Sequence, residues 1–316
     1  MKKIAFIDKV HPVLKDNLEN KGWLCDDLTK STYEELKESL VAYNGIVVRS
    51  RFRMDAELLD KATNLEFIAR SGAGMENIDI AYCTNRGIEL FNGPEGNCNA
   101  VAEHALGMLL ALFNKLTKAD LEVRNGIWDR DGNRGIELDG RTVGIIGYGN
   151  NGSAFAKKLR GFDVRVMAYD KFKSGFGDEF VEEVTLSEIT EEADVLSLHV
   201  PETPVTKGMI NKRFISQMDH PFYLINLARG SVVNTNDLVD ALDQKKILGA
   251  CLDVLEYEKS SFENIFNEHE EMPAGFNYLL HSPNVILSPH VGGWTEESYC
   301  KLSQVLFDKI SAHYKF

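Results

Sequence analysis

Three polar side chains follow three apolar runs in the second half of the chain: Arg229 after FYLINLA, Glu258 a few residues past ACLDV, and His290 after VILSP. In open α/β sheets ligands bind in the crevice beyond the carboxyl ends of the strands, so chemistry is expected just past buried strands. Histidine titrates closest to neutral pH and suits a proton that must leave a hydroxyl and later return. A carboxylate beside the imidazole favours its protonated form and orients it, the role open to Glu258. The Arg229 guanidinium is a fixed, forked cation that matches a carboxylate and polarises a keto oxygen.

A second group of residues supplies the other half of such a reaction. In TVGIIGYGNNG, Gly147, Gly149 and Gly152 form GxGxxG after an apolar run and before the helical pattern SAFAKKLRGF. The first glycine permits a tight turn, the second lets the backbone approach a pyrophosphate, and the third lets the helix pack closely on the strand. The amides of Asn150 and Asn151 then face a phosphate at the positive end of that helix. The next apolar run, VRVMAYD, ends in Asp170, at the distance where an acid meets the adenine ribose. A carboxylate there accepts from a ribose diol and repels a 2'-phosphate, which favours NAD over NADP; Lys171 and Lys173 weigh slightly the other way. Together the two groups point to hydride exchange between a nicotinamide and a small anionic hydroxy or keto acid.

The elements that must position these residues follow from the hydrophobic pattern. Apolar runs at 4–7, 45–48, 66–69 and 87–90 alternate with amphipathic stretches, and the alternation resumes at 142–146, 164–169, 194–198, 222–227, 249–254 and 284–288. Short continuous runs fit strands buried on both faces of parallel sheets. One helix is expected over Asn99–Arg124, capped by Asn97 or Asn99, with Glu103 in its first turns. Its apolar surface is broader than one sheet face requires, so a homodimer formed through residues 99–140 is expected. From Thr295 an amphipathic helix returns to the first unit. The expected fold class is α/β with two doubly wound parallel-sheet domains. One consists of residues 1–97 and 290–316, interrupted by a dinucleotide domain of residues 98–289.

Composition excludes several functions. The chain has 316 residues, 44% hydrophobic content and a net charge of -13, which disfavours nucleic acid and anionic membranes as partners. The five cysteines show no CxxC pair and no metal-ligand spacing with histidine, so no metal is expected. No apolar run reaches the roughly 20 residues a bilayer requires, nor is there a signal-peptide pattern, so a cytoplasmic enzyme is expected. An acidic protein must draw in an anion through a local cationic cluster, and Arg49, Arg51 and Arg53 form one.

The stretches VRSRFRM, SGAGMENID, NGPEGNCNAVAEHALGMLL, TVGIIGYGNNG, SLHVPETPVTKGMI, LINLARGSVV, GACLDVLEYE and NVILSPHVGGWT occur in this order over nearly the whole chain. With them the chain resembles the D-isomer-specific 2-hydroxyacid dehydrogenase family, and within it the phosphoglycerate dehydrogenases. The resemblance implies a Rossmann cofactor domain inserted into a discontinuous flavodoxin-like substrate domain, with NAD as cofactor. It implies that Arg229, Glu258 and His290 are the catalytic residues. Cofactor contacts fall on Gly147, Gly149, Asn150, Asn151, Gly152, Asp170, His199, Val200, Pro201, Thr206, Leu227, Ala228, Arg229, Asp253, His290, Val291, Gly292 and Gly293. The substrate is assigned to Arg49, Ser50, Arg51, Ser71, Gly72, Ala73 and Gly74, with Arg229 and His290; the 71–74 loop would hold the carboxylate on backbone amides. The arginine pair Arg49 and Arg51 leans the assignment toward 3-phosphoglycerate over glycerate, hydroxypyruvate or glyoxylate.

Two departures stand out: Lys259 replaces the usual proline after the glutamate, and residues 260–272 form an extra acidic amphipathic stretch, read as a lid or a surface loop. The chain carries no counterpart of the C-terminal regulatory domain found in some phosphoglycerate dehydrogenases, so serine-type feedback through such a domain is not expected. An NAD(H)-sensing scaffold, resembling the corepressors built on this fold, is the alternative of another class. Retention of Arg229, Glu258 and His290 favours an enzyme.

Overall fold

The computed structural model describes residues 1–258 and 273–316, and the described chain forms two compact units, Met1–Cys98 with Trp294–Phe316, and Asn99–Glu258 with residues 273–293. The extra acidic stretch and Lys259 lie outside the described residues.

In the first unit, β1 (Lys3–Phe6), β2 (Leu24–Asp27), β3 (Gly45–Val48), β4 (Phe67–Arg70) and β5 (Glu89–Asn92) form a parallel sheet in the order β2-β1-β3-β4-β5. This is the flavodoxin-like order. GIVV of β3 is buried along its whole length, and a Cβ on Gly45 would lie 2.2 Å from the Phe67 ring. One face packs Ile46, Val48 and Ile68 with Leu36 and Leu58. The other packs Val47, Phe67 and Phe91 with Leu306 and Ile310 of the helix Glu296–Tyr314, which returns to this unit. Each of those two aliphatic side chains contributes about 1.5–3 kcal/mol on burial. Thr295 caps the helix in a reciprocal arrangement with Ser298.

In the second unit, β6 (Thr142–Ile146), β7 (Arg165–Tyr169), β8 (Val181–Glu183), β9 (Val195–Leu198), β10 (Phe222–Asn226), β11 (Ile247–Leu252) and β12 (Val285–Leu287) form a seven-stranded parallel sheet. The order β12-β11-β10-β9-β6-β7-β8 reverses direction between β6 and β9, which is the switch point of a Rossmann sheet.

Three expectations need correction. Strands β2 and β8 were not anticipated, because each lies at a sheet edge and each has a single buried residue, so neither has an apolar run to announce it. The single helix expected over 99–124 is two, Pro94–Phe113 and Leu116–Arg124. It starts earlier because Pro94 suits a first helical position, which leaves Asn97 and Asn99 inside the helix and moves Glu103 beyond the first turns. It breaks where Lys115 turns left-handed (φ 52), and the Phe113 carbonyl accepts the Ile136 amide at 3.0 Å instead of a helical donor. Finally, residues 290–293 belong to the second unit, four residues beyond the expected boundary, because Asp253 binds the amides of Val291 and Gly292.

Candidate active site

The glycine loop after β6 carries the expected geometry. Gly147 has φ 94, and a Cβ there would lie 2.6 Å from the His199 carbonyl oxygen; a Cβ on Gly152 would lie 2.0 Å from the Gly147 carbonyl oxygen. These two glycines are demanded by the protein itself. A Cβ on Gly149 would meet open space, so no neighbouring atom of the protein demands glycine there. The helix Asn150–Leu159 starts at Gly149 with no capping side chain, leaving its positive end for an anion. Beside it, Asp170 closes β7: Oδ2 accepts the Tyr148 amide at 2.7 Å, and Oδ1 accepts those of Phe172 and Lys173 at 2.9 and 3.0 Å. A carboxylate has about four acceptor sites, so Asp170 is fixed and retains capacity for a ribose hydroxyl. These features fit an NAD, which Gly147–Gly152 and Asp170 would hold.

Beyond β9, His199 packs on Phe155 and its Nε2 lies 2.9 Å from Ser197 Oγ. Burial pushes its imidazole down to about 4, so the ring is neutral. Val200 lies against Gly147, while Thr206 Oγ1 donates to the Pro201 carbonyl at 2.6 Å and holds the turn between them.

The catalytic candidates follow β10, β11 and β12. Asn226, 1% exposed, builds the turn after β10: its Nδ2 donates to the Arg229 carbonyl at 3.0 Å and its Oδ1 accepts the Ala228 amide at 3.0 Å. Arg229 Nη1 donates to the Ala228 carbonyl at 2.6 Å, and Leu227 and Ala228 are buried. Gly230 then passes so close to the next loop that a Cβ would lie 1.9 Å from the Leu255 carbonyl oxygen. Glycine therefore sets the Arg229 turn against the loop that carries Glu258. Glu258 folds back, its Oε1 accepting the Leu255 amide, and presents Oε2 2.6 Å from His290 Nδ1. That separation is in the range of charge-assisted bonds.

His290 sits at φ 56, a conformation uncommon for a side-chain-bearing residue and costing on the order of 1 kcal/mol or more. Asp253, 2% exposed, enforces it. Its carbonyl accepts the His290 amide at 2.8 Å; Oδ1 accepts the Val291 amide at 2.9 Å and the Ser288 hydroxyl at 2.6 Å; Oδ2 accepts the Gly292 amide at 2.8 Å. Gly292 has no room for a Cβ, which would lie 2.9 Å from Asp253 Oδ2 and 3.0 Å from Leu227. These bonds tie residues 290–293 to the second unit. Asn226, Ser288 and His104, whose Nε2 is 2.9 Å from Ser288 Oγ, were missed from the sequence. No local signal marks a bond that joins residues 184 positions apart.

In the first unit, Asp8 Oδ2 collects the amides of Arg49, Ser50 and Arg51 at 2.6, 3.0 and 3.2 Å. Arg49 lies 4.0 Å over the Trp294 ring, and burial lowers its pKa from the ordinary value. Arg51 donates to the carbonyls of Ile7, Leu28 and Ser31 at 3.4, 3.3 and 2.6 Å, which commits its guanidinium to the fold; Arg53 is exposed beside Asp55. Arg70, not anticipated, donates Nε to the Arg49 carbonyl at 3.2 Å and covers Gly72, where a Cβ would lie 1.7 Å from its Nη1. In the 71–74 loop, the Ser71 and Gly72 amides donate to the carbonyls of Val48 and Arg70 at 2.8 and 2.9 Å. Ala73 is held through its carbonyl by Asn92 Nδ2 at 2.6 Å, and Ala73 and Gly74 are half-buried. Ser71 Oγ, in a residue 4% exposed, has no partner among the described residues.

Residues 106–292 match the model of the D-isomer specific 2-hydroxyacid dehydrogenase NAD binding domain, and the chain belongs to that family. It is 35% identical over 310 residues to D-3-phosphoglycerate dehydrogenase of Archaeoglobus fulgidus, covering 98% of this chain and 56% of that protein. The chain thus spans little more than half the length of several relatives it matches. It is 33% identical to hydroxypyruvate reductase of Thermotoga maritima, covering 96% of this chain and 94% of the relative. Among solved structures, D-lactate dehydrogenase from Aquifex aeolicus, complexed with NAD and lactic acid, superimposes with a TM-score of 0.82 at 30% identity, covering 99% of this chain and 95% of that one. Among the described residues, no three His, Cys, Asp or Glu side chains form a metal-binding group, and no helix is long and apolar enough to cross a membrane.

Proposed function

We propose that the chain is an NAD-dependent dehydrogenase of small D-2-hydroxy acids. The observation that carries this reading is the 2.6 Å pairing of Glu258 with His290 on a loop pinned by buried Asp253. Bound NAD supplies the hydride acceptor, or in reduced form the donor. With Nδ1 on Glu258, His290 moves its proton at Nε2: it takes the hydroxyl proton during oxidation and returns it during reduction. Glu258 fixes the tautomer and stabilises the imidazolium. Arg229 holds the substrate carboxylate and polarises the keto oxygen. The Ala73 and Gly74 amides meet the carboxylate, and the first unit is the substrate domain.

For the substrate, we favour 3-phosphoglycerate and its keto form, a step of serine biosynthesis, with Arg49 and Arg70 as the phosphate-facing cations. The three bonds of Arg51 to backbone carbonyls favour a second reading, an unphosphorylated acid such as hydroxypyruvate or glyoxylate. NADH oxidation with phosphohydroxypyruvate, hydroxypyruvate, glyoxylate and pyruvate tests both. A kcat/KM at least about tenfold higher for the phosphorylated acid supports the first, and the reverse order supports the second. No turnover with any of them, at enzyme and substrate concentrations in the ordinary range, rejects the enzyme in favour of the NAD(H)-sensing scaffold. A cytoplasmic homodimer completes the proposal. Leu116, Leu121, Val123, Ile127 and Trp128 are all exposed, Trp128 at 79%, and a second copy would cover them; light scattering at the monomer mass would reject the dimer.

A further inference from the structure

The polar contacts behind His290 extend past Asp253 to a residue on the long helix. His104 Nε2 lies 2.9 Å from Ser288 Oγ, which lies 2.6 Å from Asp253 Oδ1. A hydroxyl has one proton, and an ionised carboxylate can only accept. Ser288 therefore gives its proton to Asp253, since the alternative acceptor, Met108 Sδ, is weaker and lies 3.6 Å away. The Ser288 oxygen must then accept from His104, which places a proton on His104 Nε2. Donation runs in one direction, from His104 to Ser288 to Asp253. The same carboxylate takes the amides of Val291 and Gly292, while the Asp253 carbonyl takes that of His290. The strained backbone at His290 thus depends on the orientation of one carboxylate, which the Ser288 hydroxyl helps to hold and which His104 Nε2 also approaches at 3.8 Å.

We propose that His104 is a positioning residue for His290, acting through Ser288 and Asp253; this rests on the dehydrogenase reading for its kinetic consequence only. Remove the His104 donor, and the Ser288 hydroxyl loses its bond on the helix side and is free to rotate away from Asp253. The Val291 and Gly292 amides then loosen, and the His290 ring wanders from its productive pose. Displacements of that kind lower the rate of the chemical step far more than they weaken substrate binding.

The test uses the full chain with His104→Phe, His104→Gln and Ser288→Ala. Phenylalanine keeps the ring and removes the donor, whereas glutamine restores an N–H close to Nε2. In the protein without NADH, the imidazole ¹⁵N spectrum is expected to show His104 protonated at Nε2. Amide exchange at Val291 and Gly292 is expected to rise roughly fivefold or more in His104→Phe and Ser288→Ala and to stay near the original in His104→Gln. With NADH and a keto acid, kcat should fall about tenfold in the first two variants with KM little changed, and the double variant should be no worse than either single one. An Nδ1-protonated His104, unchanged exchange in His104→Phe, a glutamine variant as impaired as the phenylalanine one, or losses that multiply in the double variant would each overturn the proposal. If the unaltered protein turns over no keto acid, the dehydrogenase reading fails, and the tautomer and exchange measurements still decide the positioning role.

Discussion

Asp8 and Asp253 do the same job at the carboxyl edges of two parallel sheets, and the comparison separates scaffold from chemistry. Asp8, just past β1, gathers three successive amides of the loop after its neighbour β3. Asp253, just past β11, gathers two amides and a hydroxyl from the loop after its neighbour β12. In the first unit, Arg51 of the gathered loop serves three carbonyls, while Arg49 lies over the exposed Trp294 ring. In the second, the gathered loop holds His290 at a positive φ with its ring against Glu258. A doubly wound sheet offers this carboxylate anchor at any strand end. Whether the anchored loop does chemistry depends on what its side chains find nearby.

The largest expected effect lies on the chemical side. His290→Ala should lower kcat by about 100-fold or more while NADH affinity, read by fluorescence titration, changes little. Near-normal turnover would identify some other proton carrier. Replacing the two anchors should then divide the losses differently. Asp253→Ala leaves buried donors unsatisfied and should lower both unfolding free energy, by about 3 kcal/mol in urea titrations, and kcat. Asp8→Ala should cost comparable stability and raise KM with little change in kcat. Equal kcat losses in the two variants would erase the distinction between the two anchors.

Within the first unit, Arg51→Ala should lower stability by about 2 kcal/mol, since it abandons three carbonyls, and should affect phosphorylated and unphosphorylated substrates alike. Arg49→Ala should instead raise KM. A KM rise confined to the phosphorylated acid in Arg51→Ala would return Arg51 to the substrate. The smallest effect concerns His199, which burial holds neutral down to about 4. Between its ordinary value near 6.5 and about 4, the unfolded chain takes up a proton that the native ring refuses, so stability falls as pH falls through that window. At pH 5.5 the loss through this group is about 1 kcal/mol, and His199→Asn should flatten the melting-temperature profile between pH 7 and 5.5. An unchanged profile would show that the ring protonates in place.

The legible parts of the molecule were those whose physics is local. Gly147, Gly152 and Asp170 could be read because a tight turn, a close helix and a strand-end acid all fall within one strand-helix-strand unit. Strands β2 and β8 escaped because an edge strand needs little apolar surface. The break at Lys115 escaped because a donor at Ile136 decides it. The charge and position of Arg51 are legible, but nothing in the flanking residues announces its bonds to the carbonyls of Ile7, Leu28 and Ser31.

By itself, the order of residues determined the alternation of buried strands and amphipathic helices, the glycine loop and the polar types standing at strand ends. These rest on periodicity and backbone freedom, which act over a few residues. Only the tertiary structure decided that Glu258 meets His290, that Asp253 pins the loop beneath it, and that His104 reaches Ser288. A hydrogen bond demands placement to within a few tenths of an ångström, and between residues so distant in the chain only the packed core supplies that precision.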